Sequence, residues 1–168
     1  MSDPKILAPK FPLRSDIDTA YLLTKDYCAR YFPKIPYYKL LTTVDEVDEV
    51  HGEVQEVQKR WGEPINVRAF AEPTEVTQPL NKFGVEEMRK VNLIISVPDM
   101  VDADLCSMDK LTYITTLNCN LGDKFYYGDR EYSVLSIVPG KRWANTDLVL
   151  FFVFTSEVYR KISESYSS

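Results

Sequence analysis

Apolar and polar residues recur with two different periods along this chain, and the change of period divides it. The segment SDIDTAYLLTKDYCARYF places Ile17, Tyr21, Tyr27, Cys28 and Tyr31 at helical spacing. Ser15, with Asp18 three places on, supplies a start signal, and Pro33 and Pro36 supply the stop, so the spacing predicts a helix over 15–32. The next stretch, YYKLLTTVDEVDEVHGEVQEVQKRWGEP, carries valines at 44, 47, 50, 54 and 57, steps that imitate a heptad seam. It is short for a coiled coil and Gly52 interrupts it, so it reads as a packed surface segment.

From residue 65 the period falls to two. INVRAFA sets Ile65, Val67 and Ala69 against Asn66, Arg68 and Phe70, and MRKVNLIISV aligns Val91, Leu93, Ile95 and Val97 on one face. Between them EPTEVTQPLNKFGVEE reads as a long, proline-marked loop of the kind that is functional or orders on assembly. Residues 99–121 read as mixed loop with a short helix. In GDKFYYGDREYSVLSIV, Phe125 and Tyr127 lead into a Gly128-Asp129 turn, and Tyr132 and Val134 return, a hairpin pattern. A third antiparallel strand follows at Leu148 to Phe154, with Leu148, Leu150, Phe152 and Phe154 on one face and Val149, Phe151 and Val153 on the other. One face can fill a core; the other must be covered by the helix, the N-terminal arm or another chain.

These elements predict a mainly β protein with an N-terminal helix: a small antiparallel β-barrel or rolled sheet with long loops. The expected layout is one domain over 1–168, with an extended arm at 1–14, the helix at 15–32 and β-structure over 65–156. The arm combines Pro4, Pro9 and Pro12 with Ile6, Leu7, Phe11 and Leu13, an odd set for a solvated tail. Ile6, Leu7 and Phe11 are therefore expected to dock on a neighbouring subunit or a connector protein.

Composition narrows the function. An apolar fraction of 45% and a charged fraction of 27% are ordinary for a globular chain, and folding should bury roughly 70% of the unfolded surface. The net charge of −5 argues against tight binding to nucleic-acid phosphates. Cys28, Cys106 and Cys119 form no C-x-x-C pair, and His51 is the one histidine, so free buried thiols of a reducing compartment are expected and no metal. The acidic run from Asp45 to Glu56 lacks calcium-loop spacing and reads as a solvated face. No nucleophile elbow, P-loop or dinucleotide fingerprint occurs, so neither catalysis nor a cofactor is expected. The N-terminus lacks an apolar core of signal-peptide length. The longest uncharged apolar run, Leu148 to Phe154, falls far short of the ~20 residues of a membrane helix, so no membrane partner is expected and the protein reads as cytosolic.

The run GDKFYYGDREYSVLSIVPGKRWANTDLVLFFVF, from Gly122, resembles the C-terminal strand pattern of neck, or head-closure, proteins of tailed bacteriophages with contractile tails. In that family G-D-x-[FI]-x-[YW]-G/D-x-x-Y-x-V precedes a loop with Trp and Asn and then a long apolar strand. YYKLLTTVDEVDEVHGE is similar to the family's stretch ending in D-x-x-x-G-E, and FGVEEMRKVNLIISV to its G-x-E-x-x-R before a strand; together these pieces cover most of residues 37–156. His51 stands where the family has an aromatic residue, and the stretch from 99 to 121 is longer than the family's link.

The resemblance implies a structural virion protein: a ring homo-oligomer, six- or twelve-fold, joining the capsid portal vertex to the tail. Its implied partners are copies of itself, the portal, adaptor or tail-terminator proteins, and double-stranded DNA that passes through without specific binding. It would reside in the virion neck after assembly in the host cytoplasm. An acidic lumen that repels phosphates suits such a channel. In this frame Lys141, Arg142, Trp143 and Asn145 form a loop tip for a neighbouring subunit, since Arg and Trp are frequent interface anchors. The competing reading folds Trp143 back onto its own core. A different class of function, an OB-like module for single-stranded nucleic acid, predicts instead a basic groove with aromatic platforms.

Overall fold

The computed structural model describes residues 14–47, 54–77, 80–81, 84–85, 88–143 and 146–158. Helix α1 (Arg14–Tyr31) meets its expected bounds to within a residue. Ile17 and Cys28 are buried and Tyr21 packs on the core, as their spacing requires. Tyr27 and Tyr31 depart from the expectation and are exposed. At 3.6 residues per turn Tyr27 falls to one side of the 17–21–28 stripe, and Tyr31 belongs to the final turn.

The strands follow in the order β1 (Lys34–Tyr38), β2 (Leu40–Val47), β3 (Val54–Trp61), β4 (Ile65–Thr77), β5 (Leu80–Asn81), β6 (Gly84–Val85) and β7 (Met88–Ser96). Helix α2 (Val97–Asp102) comes next, then β8 (Cys106–Met108), β9 (Thr115–Leu117), β10 (Lys124–Tyr127), β11 (Arg130–Pro139) and β12 (Phe151–Val158). Six of them close an antiparallel barrel in the order β1-β10-β11-β12-β7-β4. The barrel is thus two three-stranded meanders, β1-β4-β7 and β10-β11-β12, and the segment from α2 to β9 links them. β2–β3, β5–β6 and β8–β9 are separate antiparallel pairs.

The period of two decides which side chains fill the barrel. Val67 and Ala69 on β4, Val91, Leu93 and Ile95 on β7, Phe125 on β10, Tyr132 and Val134 on β11, and Phe152 and Phe154 on β12 are all buried. Phe125 stacks on Tyr132 with ring centroids 5.5 Å apart, and Tyr37 meets Phe154 edge-on at 6.1 Å. Tyr127 and Arg130 pair across the expected two-residue turn, and Gly128 takes φ +65° at its first central position.

Four sequence expectations are corrected. β-structure begins at Lys34 rather than 65, because a strand containing Pro36 reads as a helix terminator. The valine-rich segment contains the β2–β3 pair rather than a helix-period element. Valine is β-branched and prefers strands, and two register shifts in the ladder break the strict period of two that would have revealed it. The expected loop after Ala71 is largely strand: β4 continues to Thr77, with Thr74 opposite Lys90 and Thr77 opposite Met88. Finally, Val97 opens α2 instead of extending β7. The Ser96 hydroxyl accepts from Asp99 N at 3.2 Å, and a proline stands in the first turn.

The three cysteines are free and buried. Burial pushes the Cys106 thiol up to about 12 and that of Cys119 up to about 11, and it raises Cys28 as well. At pH 8 the thiolate fraction of the first two is therefore about 10⁻³ or less. Native protein should resist a thiol-reactive disulfide reagent at pH 8, and all three thiols should react once urea unfolds it. Fast stoichiometric labelling of the folded protein is the contrary result.

Candidate interaction surfaces

Gly122 and Asp123 open the motif that carries the family resemblance, and their part is architectural. Asp123 is fully buried, and its carboxyl accepts from Tyr37 Oη at 2.7 Å, Leu40 N at 2.7 Å and Asn120 N at 2.9 Å. Burial first, and Asp123 second, raise the Tyr37 phenol above its usual range, so it remains a proton donor. Trp61 Nε1 donates to Gly122 O at 3.2 Å. One buried acid thus ties β1, the start of β2 and the turn before β10 together. The sequence marked the pair but hid its partner, because Tyr37 lies 86 residues away.

The loop after β11 is a closed hairpin end. Gly140 N donates to Phe151 O at 2.8 Å, and a Cβ at Gly140 would lie 2.8 Å from that same oxygen, so the close approach requires glycine. Arg142 bridges Val149, and Trp143 N donates to Leu148 O at 2.9 Å. Thr146 returns its amide and hydroxyl to Trp143 O at 2.9 and 2.6 Å. Lys141 and Arg142 are exposed, with the Arg142 guanidinium 3.2 Å from Asp147, while Trp143 is half-buried. Asn145 lies outside the described residues, as do Ile6, Leu7, Phe11 and His51.

Strand β12 begins at Phe151, not at Leu148 as the sequence suggested, and its first four residues are apolar on both faces. Phe152 and Phe154 point inward, and Phe151 and Val153 point out. Register then builds a feature that no single segment contains. Phe70 lies opposite Ile94, Ile94 opposite Val153, and Val153 opposite Val138, an apolar row across four neighbouring strands of the outer wall. The parallel row Glu72, Asn92, Thr155 and Ser136 is polar. On the other side the apolar row runs into the aromatic end of α1: Phe32 lies 5.9 Å from Phe70 and 6.5 Å from Phe151, and Tyr27 lies 4.7 Å from Tyr31. Phe70, Val138, Tyr27 and Tyr31 remain exposed. A contiguous apolar surface of this kind marks a site of association.

A second cluster, where β1 and β10 pair beside the end of β3, joins Tyr38, Trp61, Lys124 and Tyr126. The Lys124 ammonium sits 3.9 Å from the Trp61 ring centroid and 5.5 Å from that of Tyr38, and 2.5 Å from a Glu131 oxygen. Tyr38 and Tyr126 meet edge-on at 5.7 Å. The cation is matched by a carboxylate and lies on the indole face, an arrangement that stabilises the wall and does not offer a free basic groove. Elsewhere, the Ser96 hydroxyl donates to the buried Asp99 at 2.5 Å, and Arg68 lies 3.9 Å from the same carboxyl. Burial raises the Asp99 pKa, and Ser96 and Arg68 oppose that shift.

Among the described residues no group of three or more His, Cys, Asp or Glu side chains is placed to hold a metal ion. The fold is a closed six-stranded antiparallel barrel with an N-terminal helix, and its prominent surface features are apolar and aromatic. No protein-family model matches the chain, and no curated protein matches it. Among solved structures, a chain in the virion of a native gene transfer agent (GTA) particle is similar at 11% identity and a TM-score of 0.42, covering 72% of this chain and 90% of that one.

Proposed function

We propose that this protein is a non-catalytic structural subunit of a phage neck, forming a ring between the capsid portal vertex and the tail and leaving a channel for double-stranded DNA. The observation that carries the reading is the Gly122–Phe154 run. Its motif order resembles the neck-protein pattern, and its last strand contributes Val153 to an outer apolar row that another polypeptide can cover. The closed barrel itself offers no free edge strand to its neighbours, so contacts between subunits fall to its side-chain faces, the separate two-stranded pairs, the loops and the arm. The net charge of −5 suits a lumen through which DNA slides.

In this reading the Arg142–Trp143 tip anchors a neighbour. Trp143→Ala should leave the melting temperature of the isolated subunit within a few degrees of the parent, while association with its neighbour weakens by about 2 kcal/mol. Thermal melts alongside incorporation into virions decide between anchor and plug. A melting temperature that collapses, with assembly failing only as a consequence, would make Trp143 a plug. Electron microscopy of virions with a gold-labelled antibody tests the location directly, and label away from the neck would refute it.

A further inference from the structure

We infer that the N-terminal arm folds back on its own subunit, Phe11 and the apolar residues before it seating in the cavity between α1, α2 and the β8–β9 hairpin. The cavity measures about 430 Å³, within the range of ligand-binding sites. Ile17, Tyr21 and Leu22 line it from one face of α1, Val101 from α2, and Met108 and Tyr113 from the hairpin. Ile17 is buried and Leu22 is 63% exposed, so the apolar lining runs from the core to the surface.

The occupant follows from where the arm enters. Residues 1–13 run directly into Arg14, which is both the first residue of α1 and part of the cavity lining. The lining face of the helix, from Arg14 to Leu22, spans about 12 Å. Phe11 can reach up to about 10 Å from Arg14 and Leu7 up to about 24 Å, enough to follow that face once the chain turns back. Apolar residues just before a helix often pack on its first turns in this way. A tethered segment also meets the cavity at an effective concentration of about millimolar, which no untethered partner approaches in dilute solution.

The polar groups match as well. Tyr113 adopts φ +61°, and its hydroxyl is buried with no hydrogen-bond partner among the described residues. A buried phenol left so is rare and costly, and an acceptor would satisfy it. Arg14 and Lys110 bring further donors to the lining, held together by the bond from Arg14 Nη2 to Lys110 O at 3.2 Å. Pro4, Pro9 and Pro12 carry carbonyls but no N–H, so the arm offers a surplus of acceptors. Lys10, beside Phe11, supplies a cation for Asp18, the carboxylate among the described lining residues. Folded back in this way, the arm gives a neighbour its outer face rather than its apolar residues. The inference does not depend on the proposed ring.

Trypsin reads the arm directly, because Lys10 immediately precedes Phe11. In the full chain the Lys10–Phe11 bond should be cut slowly, at a rate that is the same at about 1 and about 100 µM protein. Each rate is divided by that of a matching free peptide, and mass spectrometry identifies the loss of residues 1–10. Leu22→Glu on the rim and Phe11→Ser in the arm should each speed the cut by about tenfold or more, since cleavage follows the population of the open arm. Tyr113→Phe removes one hydrogen bond and should speed it about fivefold, which keeps the location testable should Leu22→Glu fail to fold. Protection that appears only at the higher concentration would put the arm on another copy and overturn the inference. So would a bond cut as fast in the parent as in Phe11→Ser, or one cut as slowly in folded Leu22→Glu or Tyr113→Phe as in the parent.

Discussion

Asp123→Ala is expected to destabilise the fold by about 3–5 kcal/mol, more than any change at the outer surface. The carboxyl accepts hydrogen bonds from Tyr37, Leu40 and Asn120, and both Asp123 and Tyr37 are fully buried. Removing the acceptor leaves three donors without it, and each buried donor left unsatisfied costs about 1–3 kcal/mol. Partial hydration of Leu40 N and Asn120 N, which are only part-buried, keeps the total below the sum. Asp123→Asn keeps the volume but turns an NH₂ toward one of the donors, so it should recover less than half the loss. Tyr37→Phe removes a single bond and should cost about 1–2 kcal/mol. Urea unfolding followed by tryptophan fluorescence measures all three. An Asp123→Ala midpoint close to the parent's would show that the acid does not hold β1 to the β10 turn.

The second large effect is expected at Phe154. Its ring is fully buried and meets Tyr37 edge-on, so Phe154→Ala leaves a cavity at the centre of the barrel and should cost about 3–5 kcal/mol. Val153→Ala, one residue earlier on the same strand, should cost the isolated subunit less than about 1 kcal/mol, because its side chain belongs to the outer row. The contrast separates the two apolar faces of one strand: the inner one stabilises the barrel, and the outer one is available to a partner. Similar losses from both substitutions would mean that the outer row is already covered within the subunit. Thermal melts at matched concentration provide the comparison.

These two positions also show how far the sequence could be read. Alternation alone put Phe154 on one face of a strand and Val153 on the other, and it grouped Val67 with Ala69 and Leu93 with Ile95, while which face turned inward was decided by closure of the barrel. The β10–β11 hairpin was legible because its turn is local: Gly128 and Asp129 need only their immediate neighbours to reverse the chain. Helix α1 was legible from its period, but which of its tyrosines would face the barrel was not, since that depends on how the helix lies against the wall. β1 was hidden by Pro36 and β2–β3 by an irregular ladder. Lys141 and Arg142, which the sequence reading placed in a loop tip for a neighbouring subunit, are exposed, while the pairing of Arg142 with Asp147 emerged from the way the hairpin end closes. The wall row escaped the pattern because Phe70, Ile94, Val153 and Val138 come from four segments and each looks ordinary in its own.

What the sequence by itself determined is therefore short-range: the periods of its helix and strands, the turn at Gly128-Asp129, and the division of its strands into two faces, all set by sterics and solvation within a few residues. Tertiary structure alone decided how the two meanders close on each other, that Tyr37 would satisfy Asp123, and that Phe70, Ile94, Val153 and Val138 would fall in one row. Register between distant strands has no local signature, since it is chosen by the packing of the whole barrel, and so the surfaces that a partner would meet came into view only once the barrel was closed.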